Sequence, residues 1–113
     1  MDTLQSEALS LALMRAAASD ASRVLKTLAN EDRLLLLCQL SQGEKCVSDL
    51  EQQVGINQPT LSQQLGVLRK EGLVSTRREG KHIYYAIADQ KVLHILQTLY
   101  TLYCPQPNGE HHD

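Results

Sequence analysis

CVSDLEQQVGINQPTLSQQLGVLRKEGLVSTRREGKH, residues 46–82, is the stretch that decides how this chain folds. A short helix is predicted to begin near Cys46–Ser48, run through DLEQQV and close at Gly55, since glycine readily takes the left-handed conformation that ends helices. Asn57 is expected to cap the next helix, about Gln58 to Lys70, with Pro59 in its first turn, where a missing N–H costs little. Leu61, Leu65 and Leu68 recur at intervals of four and three and should face inward. Thr60, Ser62, Gln63 and Gln64 should then face out. Gly72 stops the helix, and the apolar period changes. Residues 73–78 read as a strand, 79–81 as a turn and 82–87 as a second strand, together a hairpin. A short helix, a tight turn and a polar helix make a helix-turn-helix, and the basic hairpin after it is a wing.

Working outward, the N-terminal side is helical. Leu4, Ala8, Leu11, Met14, Ala18, Ala21, Val24, Leu25 and Leu28 form one apolar stripe over residues 4–28, as one long helix or two short ones. Asn30 should cap the helix EDRLLLLCQL, with Glu31 and Asp32 in its first turn, where the dipole favours acids. Apolar almost all round, that helix is expected to be buried. On the other side Asp89 should cap a last helix, residues 90–104, ended by Pro105. Residues 105–113 are expected to be a disordered tail. The chain thus reads as one domain, residues 1–104: mainly α with a β-hairpin wing, a winged helix-turn-helix. Its terminal helices carry more apolar surface than a 113-residue monomer could readily cover. A homodimer is expected, with Leu11, Leu96, Leu99 and Tyr103 at the interface.

Composition narrows the function. At 42% apolar residues the chain should fold, and with no Trp or Phe its core must be aliphatic, which suits packed helices. No apolar run approaches the roughly 20 residues of a membrane span, and no leader pattern opens the chain. The three cysteines, odd in number and widely spaced, point to a reducing compartment; a cytoplasmic protein is expected. The sequence shows no Ser/His/Asp set, Gly-rich phosphate loop or paired acids, so neither an enzyme nor a cofactor is expected.

Net charge is −2, yet residues 69–82 alone carry +3, leaving −5 for the rest. Basic charge is therefore concentrated where the hairpin lies. Short hydroxyls and side-chain amides at a helix N-terminus suit major-groove readout, because Gln can pair with adenine and Ser or Thr with several base edges. The expected DNA contacts are Gln58, Thr60, Ser62, Gln63, Gln64 and Arg69, with Arg77, Arg78, Lys81 and His82 from the hairpin. The alternatives are an ordinary solvated face and a winged-helix dimerisation module that binds no DNA.

The runs VLKTLANEDRLLLLCQL, LEQQVGINQPTLSQQLGVLRKEGLV and TRREGKHIYYAI resemble the ArsR family of homodimeric winged-helix repressors, over about residues 20–104. Within it they are most similar to the BigR and SqrR group, which senses reactive sulfur species. The resemblance implies dimerisation through the first and last helices and an operator that is an imperfect inverted repeat of double-stranded DNA. It also implies a switch. The sulfur-sensing group carries a cysteine pair at positions matching Cys38 and Cys104. A thiolate would attack sulfane sulfur, and the second thiol would close a disulfide or short polysulfide bridge. Read without the resemblance, the two are better taken as structural core cysteines, and it is the resemblance that turns the reading toward a switch. Arsenic and cadmium sensors of the family carry two cysteines where this chain has Cys46-Val47-Ser48; zinc sensors carry Asp and His pairs where it has Asp89 and a lone His94. No metal site is expected, and Cys46 should be a spectator. A repressor sensing a metal or organometal at its cysteines, or a constitutive one, remains the alternative.

Overall fold

The computed structural model of the protein describes residues 3–105, with side chains from residue 10 onward. The elements in chain order are α1 (Thr3–Leu28), α2 (Glu31–Leu40), β1 (Lys45–Cys46), α3 (Val47–Val54), α4 (Thr60–Lys70), β2 (Val74–Glu79), β3 (His82–Ile87) and α5 (Gln90–Tyr103). The apolar stripe of residues 4–28 is therefore one helix. The expected tail from residue 106 on lies outside the described residues.

Local chemistry explains most boundaries. Asn30 caps α2, its side chain accepting from the Arg33 N–H at 3.0 Å, and Asp89 caps α5, accepting from the Lys91 N–H at 2.9 Å. Gly55 closes α3 at φ 69, where a side chain would be strained, and so turns the chain toward α4. Gly80 supplies the positive φ of 64 for the two-residue turn between Glu79 and His82, which are register partners.

Several expectations need correction. α4 begins at Thr60, not Gln58, with Pro59 as its N-cap residue. Asn57 contributes its carbonyl, which accepts from the Leu61 N–H at 3.0 Å, and not a side-chain cap. Glu79 belongs to β2, so the turn is only Gly80-Lys81. The last helix stops at Tyr103, and Cys104 is its extended C-cap. A third strand, β1, pairs antiparallel with β3 (Lys45↔Tyr85, Cys46↔Tyr84), giving the order β1-β3-β2.

The core is aliphatic and sits where α2, α3 and α4 meet the base of the hairpin and the start of α5. Leu36, Leu37, Leu50, Leu61, Leu65, Leu68 and Val92 are fully buried. α2 is not buried all round: Leu35 and Cys38 are exposed on the face turned toward α5. Leu61→Ala should cost about 2–5 kcal/mol by leaving a cavity under the helix-turn-helix; urea unfolding checks it, and a loss under 1 kcal/mol would mean the site collapses.

Candidate DNA-reading face and thiol pair

α4 presents Thr60, Ser62, Gln63 and Arg69 to solvent, while Leu61, Leu65 and Leu68 anchor its other side. Its N-terminus lacks a conventional cap because Pro59 holds that position. Gln58 compensates: its Oε1 accepts from the Ser62 N–H at 3.1 Å and from the Ser62 hydroxyl at 2.7 Å. A backbone N–H can only donate, so the atom it meets must be the amide oxygen, leaving the Gln58 NH2 to point elsewhere. Ser62 gives its proton to Gln58 and keeps its lone pairs for a further donor.

Gln64 departs from the outward face. It is half-buried, and its Oε1 accepts from Arg33 Nη1 at 2.9 Å. Arg33 was not among the residues expected from sequence.

On the wing, Arg78, Lys81 and His82 are exposed around the tip. Arg77 is committed within the chain. Its Nε and Nη2 donate to Glu44 at 2.7 and 2.8 Å, Nη1 donates to Glu79 at 2.8 Å, and its guanidinium lies 4.7 Å from the Tyr84 ring centroid. These hydrogen bonds hold the Glu44 carboxyl below its ordinary value of 4.5 and raise Arg77 above its own. A lowered carboxyl keeps its charge at every pH above that value, so the tie between wing and α2–β1 turn weakens only as pH falls below it.

Cys38, on exposed α2 surface, and Cys104, at the end of α5, line one groove of about 550 Å³, walled by Leu35, Leu96 and Tyr100. Both are thiols. Partial burial, and secondarily the charge of Cys104, push the Cys38 thiol above its ordinary 9.0. Cys46 is separate and buried, its Sγ 3.3 Å from Ser48 Oγ and donating to Asp49 Oδ2 at 3.3 Å. Among the described residues no three His, Cys, Asp or Glu side chains converge as metal ligands.

Of the residues expected between protomers, Leu11 is 59% and Tyr103 78% exposed, and Leu99 is half-buried. Leu96 is a correction: at 3% exposure it belongs to the protomer's own core, because α5 turns one apolar edge into that core and another outward. Leu13, Met14 and Leu102 extend the exposed apolar surface of α1 and α5. Among the described residues no helix is long and apolar enough to cross a membrane.

Two helices joined by a glycine turn and followed by a basic hairpin define a winged helix-turn-helix protein. Residues 30–76 match the model of the bacterial regulatory proteins of the arsR family. The Biofilm growth-associated repressor of Xylella fastidiosa is 50% identical over 93 residues, 82% of each chain. The chain belongs to the ArsR family and is a regulatory protein, not an enzyme. The crystal structure of the transcriptional repressor BigR from Xylella fastidiosa superposes with a TM-score of 0.78 at 49% identity, covering 82% of this chain and 95% of that one. The solution structure of the homodimeric winged helix-turn-helix DNA-binding domain of Mb0332 from Mycobacterium bovis, a possible ArsR-family regulator, superposes at 0.70 with 35% identity, covering 88% of this chain and 93% of that one.

Proposed function

We propose that this chain is a cytoplasmic homodimeric repressor that binds an inverted-repeat operator in double-stranded DNA and leaves it when Cys38 and Cys104 become linked. The observation that carries this reading is the shared groove: one thiol sits on α2, which packs against α3 and α4, and the other ends α5. A link between them ties the base of the DNA-reading unit to a helix whose exposed apolar edge suits a second copy. That gives an element with two arrangements, and a change in DNA affinity follows from any preference between them.

The inducer is a sulfane sulfur species or another thiol oxidant. One cysteine takes a sulfur from an organic persulfide, releasing the organic thiol and becoming Cys–S–SH. The second thiol attacks the inner sulfur, hydrogen sulfide leaves, and a disulfide remains. The dithiol is oxidised by two electrons and the sulfane sulfur is reduced. Further sulfur transfer before closure gives a longer bridge.

DNA contact falls to Gln58, Thr60, Ser62, Gln63 and Arg69 on and beside α4 and to Arg78, Lys81 and His82 on the wing. Gln64 and Arg77 are held by partners inside the chain. Arg78→Ala or Lys81→Ala should each reduce the slope of log affinity against log salt by about 0.9, the effect of one lost phosphate contact. Arg77→Ala should weaken binding, by loosening the wing, with the slope unchanged. An Arg77→Ala slope matching that of Arg78→Ala would make Arg77 a phosphate contact instead.

The raised Cys38 thiol sets a pH dependence. Deprotonation lags behind that of an ordinary thiol, so Cys38 should alkylate more slowly than a free cysteine at neutral pH, with its rate still rising above pH 9.0. Stopped alkylation followed by peptide mass analysis checks this, and a Cys38 rate already at its plateau at neutral pH would contradict it.

The test of the function itself is DNA binding by the reduced protein, followed by polysulfide, peroxide and metal challenge. Operator binding lost on polysulfide treatment and regained with reductant supports the switch. Binding that responds only to metal supports the alternative, and binding that ignores all three marks a constitutive repressor.

A further inference from the structure

We infer that Arg33 is a positioning residue that clamps the DNA-reading helix α4 to α2 through Gln64, and that Gln64 reads no base; this rests on the proposed role of α4 in DNA binding. Arg33 lies in the first turn of α2, its backbone N–H fixed by the Asn30 cap at 3.0 Å. Its Nε donates to the Thr27 carbonyl at the end of α1, at 2.6 Å, and its Nη1 to Gln64 Oε1 at 2.9 Å. One half-buried guanidinium thus joins three helices. The ion pairs among the described residues are those of Arg77, so the Arg33 charge is met by a carbonyl and an amide. A guanidinium has donors only, so Gln64 must turn its oxygen inward. With its oxygen turned inward to Arg33, the amide does not present donor and acceptor together to a groove, as bidentate pairing with adenine requires.

The clamp does what the leucines beneath α4 cannot. Apolar packing resists separation of helices but has no direction, whereas a hydrogen bond from a charged donor fixes rotation and register. Gln64 follows Ser62 and Gln63 directly, so the angle at which those two meet a groove depends on where Gln64 is held. α2 also carries Cys38, so the clamp attaches α4 to the helix that a Cys38–Cys104 link would pull.

The test uses the full-length reduced protein and two duplexes, an operator obtained by selection in vitro and a random sequence. The readout is the ratio of the two affinities. Arg33→Leu and Gln64→Leu should each lower that ratio about tenfold or more, as expected for losing a hydrogen bond from a charged group. The double variant should be no worse than either single one, and Gln64→Glu should keep the wild-type ratio, because a carboxylate accepts from the same guanidinium. If Arg33→Leu does not fold, the contrast between Gln64→Leu and Gln64→Glu decides alone. Loss of binding to both duplexes in Gln64→Glu would overturn the inference, since it would put residue 64 against DNA. So would additive single effects. A wild-type chain that selects no sequence would instead overturn the DNA-reading assignment itself, and this inference with it.

Discussion

Cys38→Ser and Cys104→Ser should each bind operator as the wild-type chain does when reduced, and neither should release it on polysulfide treatment. The effect is total because a bridge needs both sulfurs. Serine keeps the shape of the side chain with a smaller, more polar hydroxyl, and both positions are exposed to the groove, so the fold has little to lose. Cys46→Ser should respond as wild type, since its thiol is buried beside Ser48 and Asp49, away from the pair. Anisotropy with labelled operator before and after treatment gives the answer. Release surviving in either of the first two variants, or lost in the third, would mean another pair carries the switch.

Leu13 and Met14 on α1 and Leu102 and Tyr103 on α5 are between 63% and 78% exposed in one protomer. Scattered apolar side chains need no partner, but a run of them on two helices marks an interface. A double substitution, Leu102→Glu with Tyr103→Glu, would place two carboxylates on each side of a two-fold contact, where they repel. It should convert a dimer to a monomer in sedimentation while leaving the core, which uses neither residue, folded. Each half-site would then be bound alone, and operator affinity should fall by about 10²–10⁴ through loss of bivalency. A monomer that still binds operator tightly would defeat the dimer reading.

Much of the fold was legible because its signals are local. Asn30, Asp89, Gly55 and Gly80 act on backbone groups within a few residues, and each does in the structure what its residue type implies. The leucines of α4 point inward as their spacing requires. Features set by distant partners were not legible. Gln64 faces inward because of a residue 31 positions away, and Arg77 is committed by one 33 positions away. No spacing rule announces either. β1 has only two residues, too few for any periodicity, and exists because β3 offers it an edge. Leu96 shows a different limit: helical periodicity identifies an apolar position without saying whether its own protomer or a second one covers it. The same ambiguity applied to α2, whose unbroken apolar run suggested burial on all sides and conceals the groove between the thiols.

On this mechanism, linking Cys38 to Cys104 and leaving DNA are one event. This is tested most directly by native mass spectrometry of the wild-type chain on its selected operator during titration with polysulfide. The expected result is that free protein carries a bridge, with two hydrogens lost and any inserted sulfur gained, mapped to Cys38 and Cys104 by peptide analysis. Protein still on DNA should remain reduced. Bridged protein that stays bound to operator, or released protein with both thiols intact, would contradict it.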